Sequence, residues 1–421
     1  MPNLRILLRI VGVPITVGVI SSRERLRAFF VILAVLAVAS QSGHCANVQP
    51  SVQASVTLIR QERAFDAYQI TFPSPVQNAV PPNGTVYVEY WVPKRPGPMP
   101  AVVLLHHWGV IHPTVERELA VVLAHNGIIT AMLVLPYHMQ RTPPGFRSGR
   151  AMLSADIPRL VRSVEQSVLE VGALVGWLKS RPEVNPKEIG LAGVSLGAII
   201  GALVLGEIDQ FDAAVLILGG ANVADILWTS PITLKIRPAL RRLGYTKERL
   251  EADLASVEPL NRLTPAQGRN VLMVNAIHDP VIPRRDTLAL WDALGQSGIV
   301  WVESGHYIPI WGRRKIDQLA AEFFLYRFGE RASFNAPTVL RLRRVKVGVL
   351  VDRSPAVGFG AGIELLKSHS GLASLDLNLW TGGASIGAGL NLSNHLFLGI
   401  QRKLFSEDRD FLPYAMVSIT L

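Results

Sequence analysis

Ser195 lies in Gly193-Val194-Ser195-Leu196-Gly197, between the apolar run EIGLAGV (188–194) and the helix-compatible segment AIIGALVLGEI (198–208). A Gly-x-Ser-x-Gly turn at a strand-to-helix junction is so tight that glycines must flank the serine, and it leaves the hydroxyl exposed above the sheet. A serine is a weak nucleophile until a base takes its proton, and that base must be oriented by a carboxylate. Asp279 follows the run NVLMVNA (270–276) in the stretch IHDPVIP, and His306 follows GIVWVES (298–304) in SGHY. Acyl transfer is the chemistry this set implies: Ser195 attacks a carbonyl, His306 serves as general base and then acid, and Asp279 orients His306 and stabilises its cation. Glu303, on the strand, and Asp286, in the next helical segment, are the substitutes if Asp279 is only a turn residue ahead of Pro280. The oxyanion formed on attack needs donors fixed in advance, and the backbone N–H of Leu196, at the mouth of the following helix, is one.

These residues need a scaffold that gathers loop ends on one side. AVVLLHH (101–107), IITAMLVLP (128–136), EIGLAGV, AAVLILGG (213–220), NVLMVNA and GIVWVES are short, nearly continuous apolar runs, and segments of helical spacing separate most of them. Buried parallel strands alternating with helices predict an α/β fold, a mostly parallel sheet covered on both faces. Ser195, Asp279 and His306 then all fall at the carboxyl ends of strands, where open α/β sheets place their ligands. Ahead of this core, SVTLIRQE, AYQITF and TVYVEYWVP alternate in polarity and predict an antiparallel entry to the sheet. Residues 47–334 are expected to form this domain, with a helical insertion at 222–265 that includes a helix starting near Thr246. The insertion either covers one end of the sheet or is an enlarged crossover with no part in the site.

The order Ser195, Asp279, His306, with the serine elbow, gives residues of about 85 to 330 a resemblance to the α/β-hydrolase superfamily. Within it the chain looks most like dienelactone-hydrolase-like or prolyl-oligopeptidase-like esterases. The resemblance implies a serine hydrolase that needs no cofactor and acts on a small-molecule ester. It also places a second oxyanion donor in His106-His107-Trp108-Gly109, where alignment on His106 makes Trp108 the donor. The superfamily usually has glycine at the place of His107. His107, Tyr137 and His138 are candidates for lining the substrate site, the latter two in the loop LPYHMQRTPPGFRSGR (135–150). No metal site is expected, since His106 and His107 point to opposite faces of a strand and no acidic or Cys cluster joins them and His112. A peptidase or acyltransferase could use the same triad, and a catalytically silent hydrolase-fold scaffold with a membrane- or partner-binding β domain is the reading from another class.

The chain has 421 residues, 49% hydrophobic and 18% charged, with one Cys, which excludes a disordered chain and a disulfide-stapled miniprotein. Of the net charge of +10, residues 1–46 supply four through five arginines against Glu24. The remainder is spread thinly, without the basic run that nucleic-acid binding needs. Residues 23–46 read as arginines, a twelve-residue apolar run from Ala28 to Ala39 and a short polar stretch. Residues 1–46 are therefore expected to be a signal peptide, with an N-terminal anchor as the alternative because Ile10–Ile20 adds a second apolar stretch, and the protein is expected to be exported, periplasmic or secreted.

Residues 335–421 change texture to six alternating segments and predict an antiparallel β domain without helices. Leu375, Leu377 and Leu379 share a face opposite Asp376 and Asn378, and Ile386, Ala388 and Leu390 face away from Gly387 and Gly389. Membrane association through the N-terminus or through this domain fits these segments. Six strands fall short of the about eight of a single-chain bacterial barrel. A soluble sheet packing its apolar face on the hydrolase or on itself is therefore the expectation.

Overall fold

The computed structural model describes residues 8–10, 13–15, 52–78, 80–307 and 310–340, and from there 345–351, 357–367, 373–380, 383–391, 396–404 and 412–418. The expected signal segment at 23–46 lies outside the described residues. Two compact units are present, 1–47 and 48–421. In the first, β1 (Leu8–Ile10) and β2 (Val13–Ile15) pair antiparallel.

The second unit contains a ten-stranded sheet. Its strands are β3 (Ser55–Gln61), β4 (Phe65–Pro73), β5 (Thr85–Pro93), β6 (Met99–Leu105), β7 (Ile129–Leu133), β8 (Val184–Val194), β9 (Ala213–Ile217), β10 (Val271–Ala276), β11 (Gly298–Val302) and β12 (Val339–Leu340). Their order is β12-β11-β10-β9-β8-β6-β7-β5-β4-β3. β3, β4 and β5 enter antiparallel, and the pairings from β7 to β12 are parallel. β12 lies beyond the expected domain end at 334, so this sheet runs past that boundary before the β domain begins.

The period-two alternation of the strands divides the core into two layers. Val103 and Leu105 of β6 pack in a cluster with Leu174 and Leu178 of α2 (Ile157–Lys179) and Leu203 of α3 (Leu196–Glu207). Val102 and Leu104 face the other way, into a cluster with Leu119 and Leu123 of α1 (Thr114–His125) and Phe324 of α8 (Ile310–Arg327). α2 starts where Asp156 accepts a hydrogen bond from the Arg159 amide at 3.0 Å, with a proline in its first turn. Between Asn222 and Pro265 the chain forms α4 (Val223–Thr229), α5 (Arg237–Arg242) and α6 (Lys247–Asp253), the last capped by Thr246 as expected. α7 (Arg284–Ala293) follows β10.

Under the loop after β7, Arg141 is fully buried against Glu170 of α2, with Nη1 to Oε2 at 2.6 Å and Nη2 to Oε1 at 2.7 Å. The guanidinium also donates to the carbonyls of Val134 and Asn83, both at 2.9 Å. Removing one partner of a buried ion pair leaves the other charge unmatched, at a cost of about 3 to 5 kcal/mol. The clamp fixes the start of the loop whose far end reaches the site.

The C-terminal strands, β13 (Val345–Val351), β14 (Val357–Lys367), β15 (Ala373–Trp380), β16 (Gly383–Asn391), β17 (Leu396–Lys403) and β18 (Leu412–Ser418), are all antiparallel to their neighbours, and β18 pairs back on β13 to close a barrel. This corrects the expectation of a sheet that covers its apolar face. Asp376, Asn378, Ser385, Gln401 and Tyr414 are buried inside, while Leu379 (63% exposed), Leu390 (56%), Ile400 (54%), Leu398 and Ile386 point outward. Six strands close because glycines face the narrow interior. A Cβ on Gly387 would run into the Tyr414 hydroxyl, and one on Gly362 into Asn378. Inside, Ser385 donates to Gln401 Oε1 at 2.6 Å and Tyr414 to Asp376 Oδ2 at 3.3 Å. Burial, with Asp376 beside it, pushes the Tyr414 hydroxyl up in pKa.

Candidate active site

β8 delivers Ser195 into an elbow with φ 52° and ψ −111°, a conformation that L residues adopt only when their surroundings enforce it. The enforcement is close packing: a Cβ on Gly197 would collide with the carbonyl of Leu105, and one on Gly193 with the carbonyl of Gly197. No residue but glycine fits at either flank.

Ser195 Oγ lies 2.9 Å from His306 Nε2, and His306 Nδ1 donates to Asp279 Oδ2 at 2.7 Å. Asp279 Oδ1 accepts the amides of Val281 at 2.8 Å and Ile282 at 2.9 Å, which fixes the carboxylate in the turn after β10. The side chains of His306 and Asp279 are almost wholly buried. The loop carrying His306 is tied to that turn by the His278 amide, which donates to the Ser304 carbonyl at 3.1 Å. Of the three candidate carboxylates, Asp279 is the one that meets the histidine. Asp286 instead accepts a hydrogen bond from Asn222 at 3.2 Å, and burial together with Asp225 pushes it up to about 7.

The loop after β6 shows what the histidine does in the place of the usual glycine. His107 Nδ1 donates to the fully buried Glu116 at 2.7 Å, and the His107 amide donates to the same oxygen at 3.0 Å. The His107 N–H is therefore occupied. The Trp108 indole donates to the Gly149 carbonyl at 3.0 Å and pins the loop. His106 turns into the core, where its Nδ1 donates to the His107 carbonyl and its Nε2 accepts the Leu135 amide at 3.0 Å. Burial, with His138 adjacent, holds it well below the usual histidine range, so it is a neutral clamp between two loops.

Two cavities meet at Ser195. The larger, about 960 Å³, is lined by His107, Phe146, Tyr307 and the cations Arg147, Arg150, Lys235 and Arg313. Asp317 also lines it, pushed up to about 7 by burial and by Glu118. The smaller, about 90 Å³, is apolar and shares Ser195, Trp108 and Ile232 with the larger. Of the expected lining residues, His107 is in place. Tyr137 and His138 are not: both are buried and line neither cavity. The Tyr137 amide donates to Asn83 Oδ1 at 2.7 Å and the His138 ring to the Pro136 carbonyl at 2.9 Å, which turns this part of the loop inward. Burial lowers His138 to about 4. Residues further along the same loop line the site in their stead: Phe146, Ser148 and two of the loop's three arginines, Arg147 and Arg150, whose charges mark the loop in the sequence as able to meet an anionic group. Among the described residues no group of three His, Cys, Asp or Glu is placed to hold a metal ion.

Residues 87–240 match the family model described as the dienelactone hydrolase family. Among solved structures, the chain is similar to acetyl xylan esterase 1 from Thermoanaerobacterium sp. JW/SL YS485, with 18% identity, a TM-score of 0.52, and 66% of this chain and 89% of that one covered. It is also similar to the acetyl xylan esterase from Paenibacillus sp. R4, with 17% identity, a TM-score of 0.50, and 64% and 88% covered. No curated protein matches the chain in sequence. At these identities the structural likeness carries the fold, which is that of the α/β hydrolases.

Proposed function

We propose that the chain is a serine hydrolase of the α/β-hydrolase superfamily and cleaves a carboxylic ester through an acyl-enzyme on Ser195. The observation that carries the reading is the unbroken relay from Ser195 Oγ through His306 to Asp279, at 2.9 and 2.7 Å. His306 Nε2 takes the hydroxyl proton as Oγ adds to the carbonyl carbon, and the amides of Leu196 and Trp108 receive the oxyanion. Collapse expels the alkoxide, which leaves with the proton held on His306. Water, deprotonated by the same nitrogen, then releases the acid.

The chain is further read as exported and membrane-associated, supported by the signal-like layout of 23–46 and by the inverted polarity of the barrel, which is the arrangement of a lipid-facing one. One experiment tests both readings: p-nitrophenyl butyrate hydrolysis by the purified full chain, assayed across a flotation gradient with phosphatidylglycerol-containing vesicles. Hydrolysis that floats with the vesicles is expected. Absence of hydrolysis anywhere would overturn the esterase, and hydrolysis left at the bottom would overturn the membrane association alone.

A further inference from the structure

We infer that the small apolar cavity beside Ser195 is the acyl slot, and that it selects short acyl chains, with butyryl preferred over acetyl. The inference rests on Ser195 as the nucleophile. The slot opens at Ser195, Trp108 and Ile232 and continues between Val164 of α2, Ile199 of α3, Ile226 and Leu227 of α4, and Ile282. Apart from Ser195, only Ser230 and Thr233 bring hydroxyls to its wall. A site of this composition cannot hydrate well and gains from each methylene it takes out of water. The insertion at 222–265 thus has a part in the site: it supplies one wall of the slot and so sets its width.

Its volume decides the chain length. A dry apolar cavity of about 150 Å³ takes up the six carbons of benzene, and on that scale about 90 Å³ accommodates about three carbons beyond the carbonyl. Acetyl fills only a third of this, and chains beyond butyryl must displace the wall. The larger cavity is more than ten times as roomy and mixes apolar side chains with four cations, so a short acyl chain would touch only part of its wall.

Each buried methylene adds about fourfold, so kcat/KM for p-nitrophenyl butyrate should exceed that for the acetate by about fifteenfold and fall again by the decanoate. Val164 lines the slot and not the larger cavity. Val164→Phe should bring the butyrate-to-acetate ratio down to about one, and Val164→Ala should move the optimum towards hexanoate. The ratio is read within one preparation, so it does not depend on the folded fraction. An acetate preference in the wild type, or ratios that neither variant changes, would overturn the slot assignment while leaving the nucleophile in place. Failure to cleave any ester of the series would instead remove the Ser195 reading, and the slot with it.

Discussion

Ser195→Ala should lower ester turnover by at least about 10⁴-fold while leaving the melting temperature close to that of the wild type. The size of the loss follows from what the hydroxyl does: without Oγ there is no covalent intermediate, and only the oxyanion donors and substrate binding remain to help water attack. The fold should be indifferent because Oγ makes its described hydrogen bond to His306 alone, and alanine tolerates the φ of 52° no worse than serine. Steady-state kinetics with p-nitrophenyl butyrate, alongside a thermal melt of the same preparation, check both halves. Turnover like that of the wild type would mean that another group carries out the attack.

Asp279→Asn should cost about 10⁴-fold in kcat, again with little effect on folding. The asparagine oxygen can still accept the amides of Val281 and Ile282, so the turn after β10 keeps its shape. The other end then presents an NH₂ to His306 Nδ1. Two donors cannot share one hydrogen bond, so the ring is driven to the tautomer with its proton on Nε2, where it can no longer accept the serine proton. The charge that stabilises the imidazolium is lost as well. Glu303→Gln, a substitution of the nearby carboxylate on the strand exit, should retain activity. The opposite pair of results would transfer the orienting role to Glu303.

The triad was legible in the sequence for a physical reason. A nucleophile elbow can be made only with glycines at 193 and 197, and buried parallel strands announce themselves as short apolar runs, so the loops at their carboxyl ends could be located without coordinates. Orientation within loops was not legible. Tyr137 and His138 are turned inward by the Asn83 side chain, which lies more than fifty residues earlier, and by their own proline turn. The His107–Glu116 pair likewise joins a strand exit to the helix after it, and its effect on which amide is free appears only in three dimensions. The alternation of 373–391 identified both faces of the β domain correctly. Which face is inside depends on whether six strands can close, and that turned on Gly362 beside Asn378 of the next strand and on Gly387 facing Tyr414 two strands away.

The most direct measurement is covalent labelling of the native full-length protein with a fluorophosphonate, followed by peptide mapping. A serine activated by a hydrogen-bonded histidine attacks phosphorus as it attacks a carbonyl and displaces fluoride, leaving a stable adduct. The adduct should fall on the peptide that contains Ser195, at one label per chain, and ester turnover should disappear in step with labelling. Label on a different residue, or complete resistance of an actively hydrolysing enzyme, would contradict Ser195 as the nucleophile.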